Sequence, residues 1–169
     1  MMLSYFQRMA RYNQWANARL YNACADLSDA DRKAARKSFF GSIHRTLNHI
    51  MVGDRIWLSR IVPWDAPYVV ALNTELYTDF AELRREREKQ DAGIVAYVDA
   101  LSEAKVAGSV RYATTSGEPY EMPLATILQH FFNHQTHHRG QVHDMLSQTP
   151  VAPPLLDLLY FVREVPEAA

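Results

Sequence analysis

The chain has 169 residues, 48% of them apolar, enough to close one ordinary core, and its single cysteine, Cys24, rules out a disulfide framework or a four-cysteine zinc site. Lys plus Arg (18) balance Asp plus Glu (19), so the net charge of -1 gives no long-range pull toward nucleic acid or an anionic membrane; a small-molecule substrate is the expected partner. Arg8, Arg11, Asn13 and Gln14 break up the start, which lacks the apolar run of a signal peptide, and no stretch approaches the roughly 18–20 apolar residues of a membrane span, so a cytoplasmic, single-domain protein over 1–169 is expected.

In chain order, apolar residues at spacings of three and four predict a first helix from Ser4 to Ala25, with Phe6, Met9, Ala16 and Leu20 on one face. Ser28 with Asp29 and Asp31 then predicts a short capped turn. A second helix, Phe39 to Val62, carries Ile43, Leu47, Ile50 and Trp57 and is stopped by Pro63. The third, Thr74 to Ala104, carries Leu83, Ile94 and Val98; its run from Glu82 to Asp91 holds four basic and four acidic residues and reads as a solvated face. Ser109 to Thr114 and Glu118 to Met122 flank a Ser116-Gly117 turn and suggest a short hairpin or extended excursion. Pro123 opens a fourth helix to Ser147, and an apolar tail, Leu155 to Val162, packs back. The fold class is all-α, with the hairpin placed before the last long helix.

Each core stripe has a polar interruption near its midpoint: Asn13 in the first helix, Asp54 in the second, Arg87 and Gln90 in the third, His134 and His138 in the fourth. If these midpoints share a level, a polar chamber lies there; the alternative is that the stripe in the third helix is misdrawn. Five of the seven histidines fall within residues 130–143. Positions i and i+4 project from one helix face, so two imidazoles there reach one ion, and only His134 with His138 lies on the apolar stripe. A third ligand must come from another helix. His49, beside the inward stripe near its midpoint, is better placed than His44, which lies more than a turn nearer the helix start. The alternatives are surface histidines, or a core pair bonded to Asp54 and Asn13.

The segments YNQWAN, TLNHIMVGDRIWL, FNHQTHHRGQVH and PPLLDLLYFVRE together resemble the DinB-like family of bacterial metalloenzymes, which is related to transferases that use low-molecular-weight thiols. The resemblance spans nearly the whole chain. It implies a four-helix bundle holding one zinc or nickel ion on the histidine of the HI element and the two of HxxxHRGQ, which are His49, His134 and His138, and it implies a homodimer. It says little about substrate, because most members have no assigned reaction.

Three neutral imidazoles leave the full charge on a divalent ion and at least one open position, where water or a thiol would be activated at neutral pH. Asp54 is expected either to accept a hydrogen bond from a ligand imidazole or the bound water, as an orienting group or base, or to be an exposed or capping carboxylate. Tyr12 and Trp15 are expected to pack, Cys24 to be buried, His137 and Arg139 to project to other faces, and Gly140 to admit close approach of another helix. The expected function is a metal-dependent thiol S-transferase or hydrolase; the alternative is a non-catalytic metal-binding stress-response protein.

Overall fold

The computed structural model describes residues 2–62, 71–114 and 116–166. Helix α1 (Met2–Ala25) is followed by a short α2 (Asp29–Lys33), whose N-cap Ser28 accepts from the Asp31 backbone N–H. Helix α3 spans Ile43–Ile61 and starts four residues later than the periodicity predicts. Gly41 turns the chain with φ of 77°, a conformation open to glycine, and the Ser42 hydroxyl then accepts from the Arg45 N–H as the cap. The helix ends at Ile61, with Val62 as its extended C-cap; Pro63, its predicted stop, lies outside the described residues.

The predicted third helix is shorter and divided. Asp79 accepts from the Glu82 N–H and starts α4 (Phe80–Asp99), and Ser102 accepts from the Lys105 N–H and starts a separate α5 (Glu103–Ala107). Residues ahead of α4 are held as an extended loop on α3: Asn48 accepts from the Tyr77 N–H and donates to its carbonyl, at 2.9 and 3.0 Å, and His44 Nε2 lies 2.8 Å from that same carbonyl. Two competing caps and a bonded loop thus replace the outer turns that apolar spacing suggested.

Strands β1 (Ser109–Ala113) and β2 (Pro119–Pro123) pair antiparallel with Tyr112 opposite Tyr120, closing through Gly117 at φ of 87°. Helix α6 (Leu124–Leu146) follows, with Pro123 at its N-cap position, and α7 (Leu158–Glu164) ends the described chain. Phe161 of α7 packs on Tyr12 and Trp15, and the Tyr12 hydroxyl donates to the Leu156 carbonyl at 2.8 Å, so both aromatics are packing residues as expected. No helix among the described residues is long and apolar enough to cross a membrane.

The core has two main apolar clusters. One gathers Leu20, Leu47, Ile50, Leu83, Val142 and Met145; the other gathers Phe6, Leu58, Ile94, Val98, Leu128 and Phe131. Each long helix passes from one cluster to the other, α1 and α6 in one sense and α3 and α4 in the opposite sense. Between the clusters lies the predicted polar layer, and it contains more than the sequence suggested. Asp54 accepts from Arg87, Gln90 and Gln135; Asp91 accepts from Asn13 and Asn17 and pairs with Arg87; Arg139 donates to Asn13 and Asn17. All four long helices are therefore tied by buried charge and amide groups.

Three expectations are corrected here. The charged run of α4 is only partly a solvated face: Arg84 pairs with Glu88 and Lys89 with Glu86 on its exposed side, whereas Arg87 and Asp91 are buried. Arg139 is buried inside the polar layer, with its guanidinium 5.3 Å from the Tyr12 ring, because it stands one turn beyond Gln135 on the same inward line. Gly140 has open space where a Cβ would sit, so no close helix approach explains it.

Candidate metal centre

The α3–α6 seam carries a second line of side chains, one residue out of phase with the polar layer. On α6, His134 and His138 each precede an inward residue, Gln135 and Arg139; on α3, Gly53 precedes Asp54. At about 100° per residue, the preceding positions face along the seam when the following ones face the interior. His49, four residues before Gly53, completes this line.

The three imidazoles meet there. His49 Nε2 lies 3.3 Å from His134 Nε2 and 3.1 Å from His138 Nε2, and the three groups form a set able to hold a metal ion. Three nitrogens each about 2.0–2.1 Å from one tetrahedral ion stand about 3.3 Å apart, so the spacing fits. Protonation agrees with it. His49 Nδ1 is 2.7 Å from the Leu72 carbonyl, which only accepts, and His138 Nδ1 is 2.8 Å from Gln141 Oε1. Both rings then carry their proton on Nδ1, and two unprotonated Nε2 atoms face each other at 3.1 Å. That contact is repulsive without a cation between the lone pairs.

Burial, followed by the proximity of His138 and His49, pushes His134 down to about 3. Burial and the His49 ring push His138 down to about 4, against the Gln141 hydrogen bond, and burial lowers His49 also. All three are neutral at pH 7, the state in which an imidazole could bind a metal ion. Phe40 stacks on the His49 ring at 3.9 Å and 22°, fixing its plane. Gly53 makes room for His134: a Cβ at that position would stand 2.5 Å from His134 Cε1.

Asp54 stands apart from this set. Its hydrogen bonds run to Arg87, Gln90 and Gln135, while the orienting bonds of the imidazoles come from the Leu72 carbonyl and Gln141. It is neither exposed nor a helix cap; burial pushes its carboxyl above the usual range despite Arg87. Asn13 likewise lies in the polar layer, not beside the histidines. His44 is taken up by the Tyr77 carbonyl, with Glu75 3.4 Å away. His137, expected to project to another face, lines the same pocket as His49, His134 and His138. Cys24 is buried as expected, with its thiol pushed up to about 12 by burial, which removes it as a nucleophile.

Gly53, Leu72, Phe40 and Gln141 were not anticipated. Gly53 had a readable signal, since a mid-helix glycine costs about 1 kcal/mol against alanine and asks for a reason. Leu72 had none: its carbonyl arrives only because the loop ahead of α4 is bonded to α3. The histidines form the floor of a pocket of about 950 Å³ walled by Phe39, Phe40, Ile56, Trp57, Leu72 and Tyr112. An ion on this floor would have protein on one side and an apolar chamber on the other.

Similarity to known proteins extends over nearly the whole chain. The sequence model of the DinB family matches residues 1–167. A curated relative, Protein DinB of Bacillus subtilis (strain 168), is 24% identical over 149 residues, covering 86% of this chain and 86% of that protein.

Proposed function

We propose that this chain, which belongs to the DinB family, is a four-helix-bundle metalloenzyme that holds one divalent ion, zinc or nickel, on His49, His134 and His138 and acts on a small molecule in the adjoining pocket. The observation that carries this is the convergence of three neutral Nε2 atoms on the floor of an apolar chamber. Among the described residues the cluster has three ligating side chains, which leaves coordination for a substrate group. When bound, such an ion supplies Lewis acidity and lowers the pKa of a water or thiol that shares its coordination.

The chain's own groups do the rest. The Leu72 carbonyl and Gln141 hold two imidazoles in one tautomer, so their Nε2 lone pairs stay aimed at the same point. The aromatic walls give the reacting group a largely apolar surround. Asp54 acts as a positioning residue: through Gln135, the neighbour of His134, it fixes α6 against α3 and so fixes the spacing between His49 and the other two ligands. Since Cys24 is buried and protonated, a nucleophilic thiol must arrive as a co-substrate, which makes a low-molecular-weight-thiol S-transferase the first reaction to test and hydrolysis the second.

The test offers a panel of small thiols with a fluorogenic electrophile to metal-loaded protein, to chelated protein and to His138→Ala. Turnover that requires both metal and His138 is expected, with thiol or with water alone. No metal-dependent rate under either condition, together with a fourth protein ligand on the ion, would move the assignment to a non-catalytic metal-binding protein.

A further inference from the structure

His137 stands beside His138 on α6, exposed at the rim of the pocket, and is not one of the three converging imidazoles. Gln141 follows one turn later and reaches both rings: its Oε1 lies 2.8 Å from His138 Nδ1, and its Nε2 lies 3.3 Å from His137 Nε2. A primary amide has one end that only accepts and one that only donates, so each contact dictates the state of the ring nitrogen it faces. With the oxygen toward His138, that ring carries its proton on Nδ1 and His137 offers a lone pair at Nε2.

The amide has a second way to make the same bonds. Its two ends are nearly equal in size, so half a turn about its terminal bond exchanges them at little steric cost. Gln141 then donates to His138 Nδ1 and accepts from a proton on His137 Nε2. His138 must now carry its proton on Nε2, which faces His49 Nε2 at 3.1 Å. His49 has no such freedom, because the Leu72 carbonyl only accepts and holds it in the Nδ1–H form. Its Nε2 therefore accepts, and a repulsion between two lone pairs becomes a hydrogen bond. No ring changes charge: His137 and His138 each give a proton to water from one nitrogen and take one back at the other.

The same side chains thus have two paired orders. In the open order the Nε2 lone pairs of His49 and His138 are both free for an ion; in the closed order a hydrogen bond between them occupies that point. An ion that binds only one order shifts the population toward it. We propose that Gln141 and His137 are positioning residues that open and close the metal site: the amide oxygen faces His138 when an ion is bound, the amide nitrogen faces it when none is, and His137 changes tautomer in step. The open order rests on the metal reading above, whereas the closed order rests on hydrogen bonding alone.

The experiment reads the ring nitrogens directly, by nitrogen-15 NMR of histidine-labelled protein at pH 8, above the ordinary histidine value of about 6.5. Chelated and zinc-loaded samples of wild type, Gln141→Glu and Gln141→Leu are compared. Wild type should carry the His138 proton on Nε2 when chelated and on Nδ1 with zinc, and His137, which is no ligand, should exchange tautomer with it. A carboxylate presents only acceptors, so in Gln141→Glu His138 should stay protonated on Nδ1 in both samples. In Gln141→Leu, which cuts the link between the rings, zinc should no longer change the His137 tautomer. One unchanging His138 tautomer in wild type overturns the proposal, as does a wild-type His137 ring indifferent to zinc or a chelated Gln141→Glu with its His138 proton on Nε2. Failure of wild type to bind zinc would overturn the metalloenzyme reading and the open order with it; His138 protonated on Nε2 in wild type and on Nδ1 in Gln141→Glu would then leave the closed order standing.

Discussion

Gly53→Ala separates the needs of the fold from those of the site. The added Cβ would stand 2.5 Å from His134 Cε1, against an ordinary carbon–carbon contact of about 3.5 Å, so the ring must retreat by about 1 Å. The atom struck is the far end of a rotatable side chain, so the ring can yield without moving α3 or α6. Alanine also gains about 1 kcal/mol of helix propensity over glycine, which offsets the packing cost. The apo protein should therefore melt within about 4 °C of wild type for a chain of this size. Metal binding has no such tolerance, since ligand distances hold to about 0.2 Å and the displaced nitrogen moves several times that far. Loss of one ligand should weaken zinc affinity at least about 100-fold, more than the usual penalty for an outer-shell change. Zinc calorimetry on chelated, untagged protein beside thermal melts measures both quantities. Gly140→Ala is the control: with open space at its Cβ it should be neutral or slightly stabilising and bind zinc normally. Wild-type zinc affinity in Gly53→Ala, or collapse of its apo fold, would refute the reasoning.

Two further outcomes follow from the same contacts. His134 and His138 have folded pKa values of about 3 and about 4 against the ordinary 6.5, so between those limits the unfolded chain binds more protons than the fold. Apo stability should consequently fall as pH drops below about 6.5, and metal should be retained well below that pH; denaturant midpoints and zinc titrations across pH 4–8 check both, and release centred on the ordinary histidine value would count against the buried cluster. Asp54→Ala leaves the buried Arg87 with Asp91 alone, among the described residues, as its charge partner and removes the acceptor of Gln90 and Gln135, so it should cost about 3 kcal/mol by urea unfolding. Asp54→Asn keeps an acceptor and should recover part of that loss along with zinc affinity and turnover; a general base at position 54 would instead leave the Asn variant stable and metal-loaded but slow.

Much of this organisation was legible because helix periodicity is strong and the chemistry-bearing residues lie on it. His134 and His138 announced themselves as an i,i+4 pair, and the polar interruptions of the first three stripes correspond to a real buried layer, which α6 joins through Gln135 and Arg139 instead of the two histidines. What periodicity could not resolve was phase. Neighbouring positions on a helix differ by about 100°, and nothing in the sequence states whether His134 or Gln135, or Gly53 or Asp54, faces the interior. That ambiguity placed Asp54 beside the histidines when it belongs to the Arg87–Asp91 network. It also gave the close-approach role to Gly140 instead of Gly53. Boundaries were missed where Ser42, Asp79 and Ser102 cap their helices, because a cap overrides apolar spacing within a single turn. The Leu72 carbonyl and the Trp57–Arg60–Tyr112 end of the pocket depend on a loop and a hairpin laid across the seam, contacts between segments far apart in the chain.

In the proposed metalloenzyme, His49, His134 and His138 hold one divalent ion together. Elemental analysis of protein made without a tag or a metal-affinity step tests it most directly, comparing wild type with His49→Ala, His134→Ala and His138→Ala. About one ion of a single metal per wild-type chain is expected, and a small fraction of that in every variant, since removing any one ligand leaves an incomplete site. Equal metal content in wild type and all three variants would contradict it.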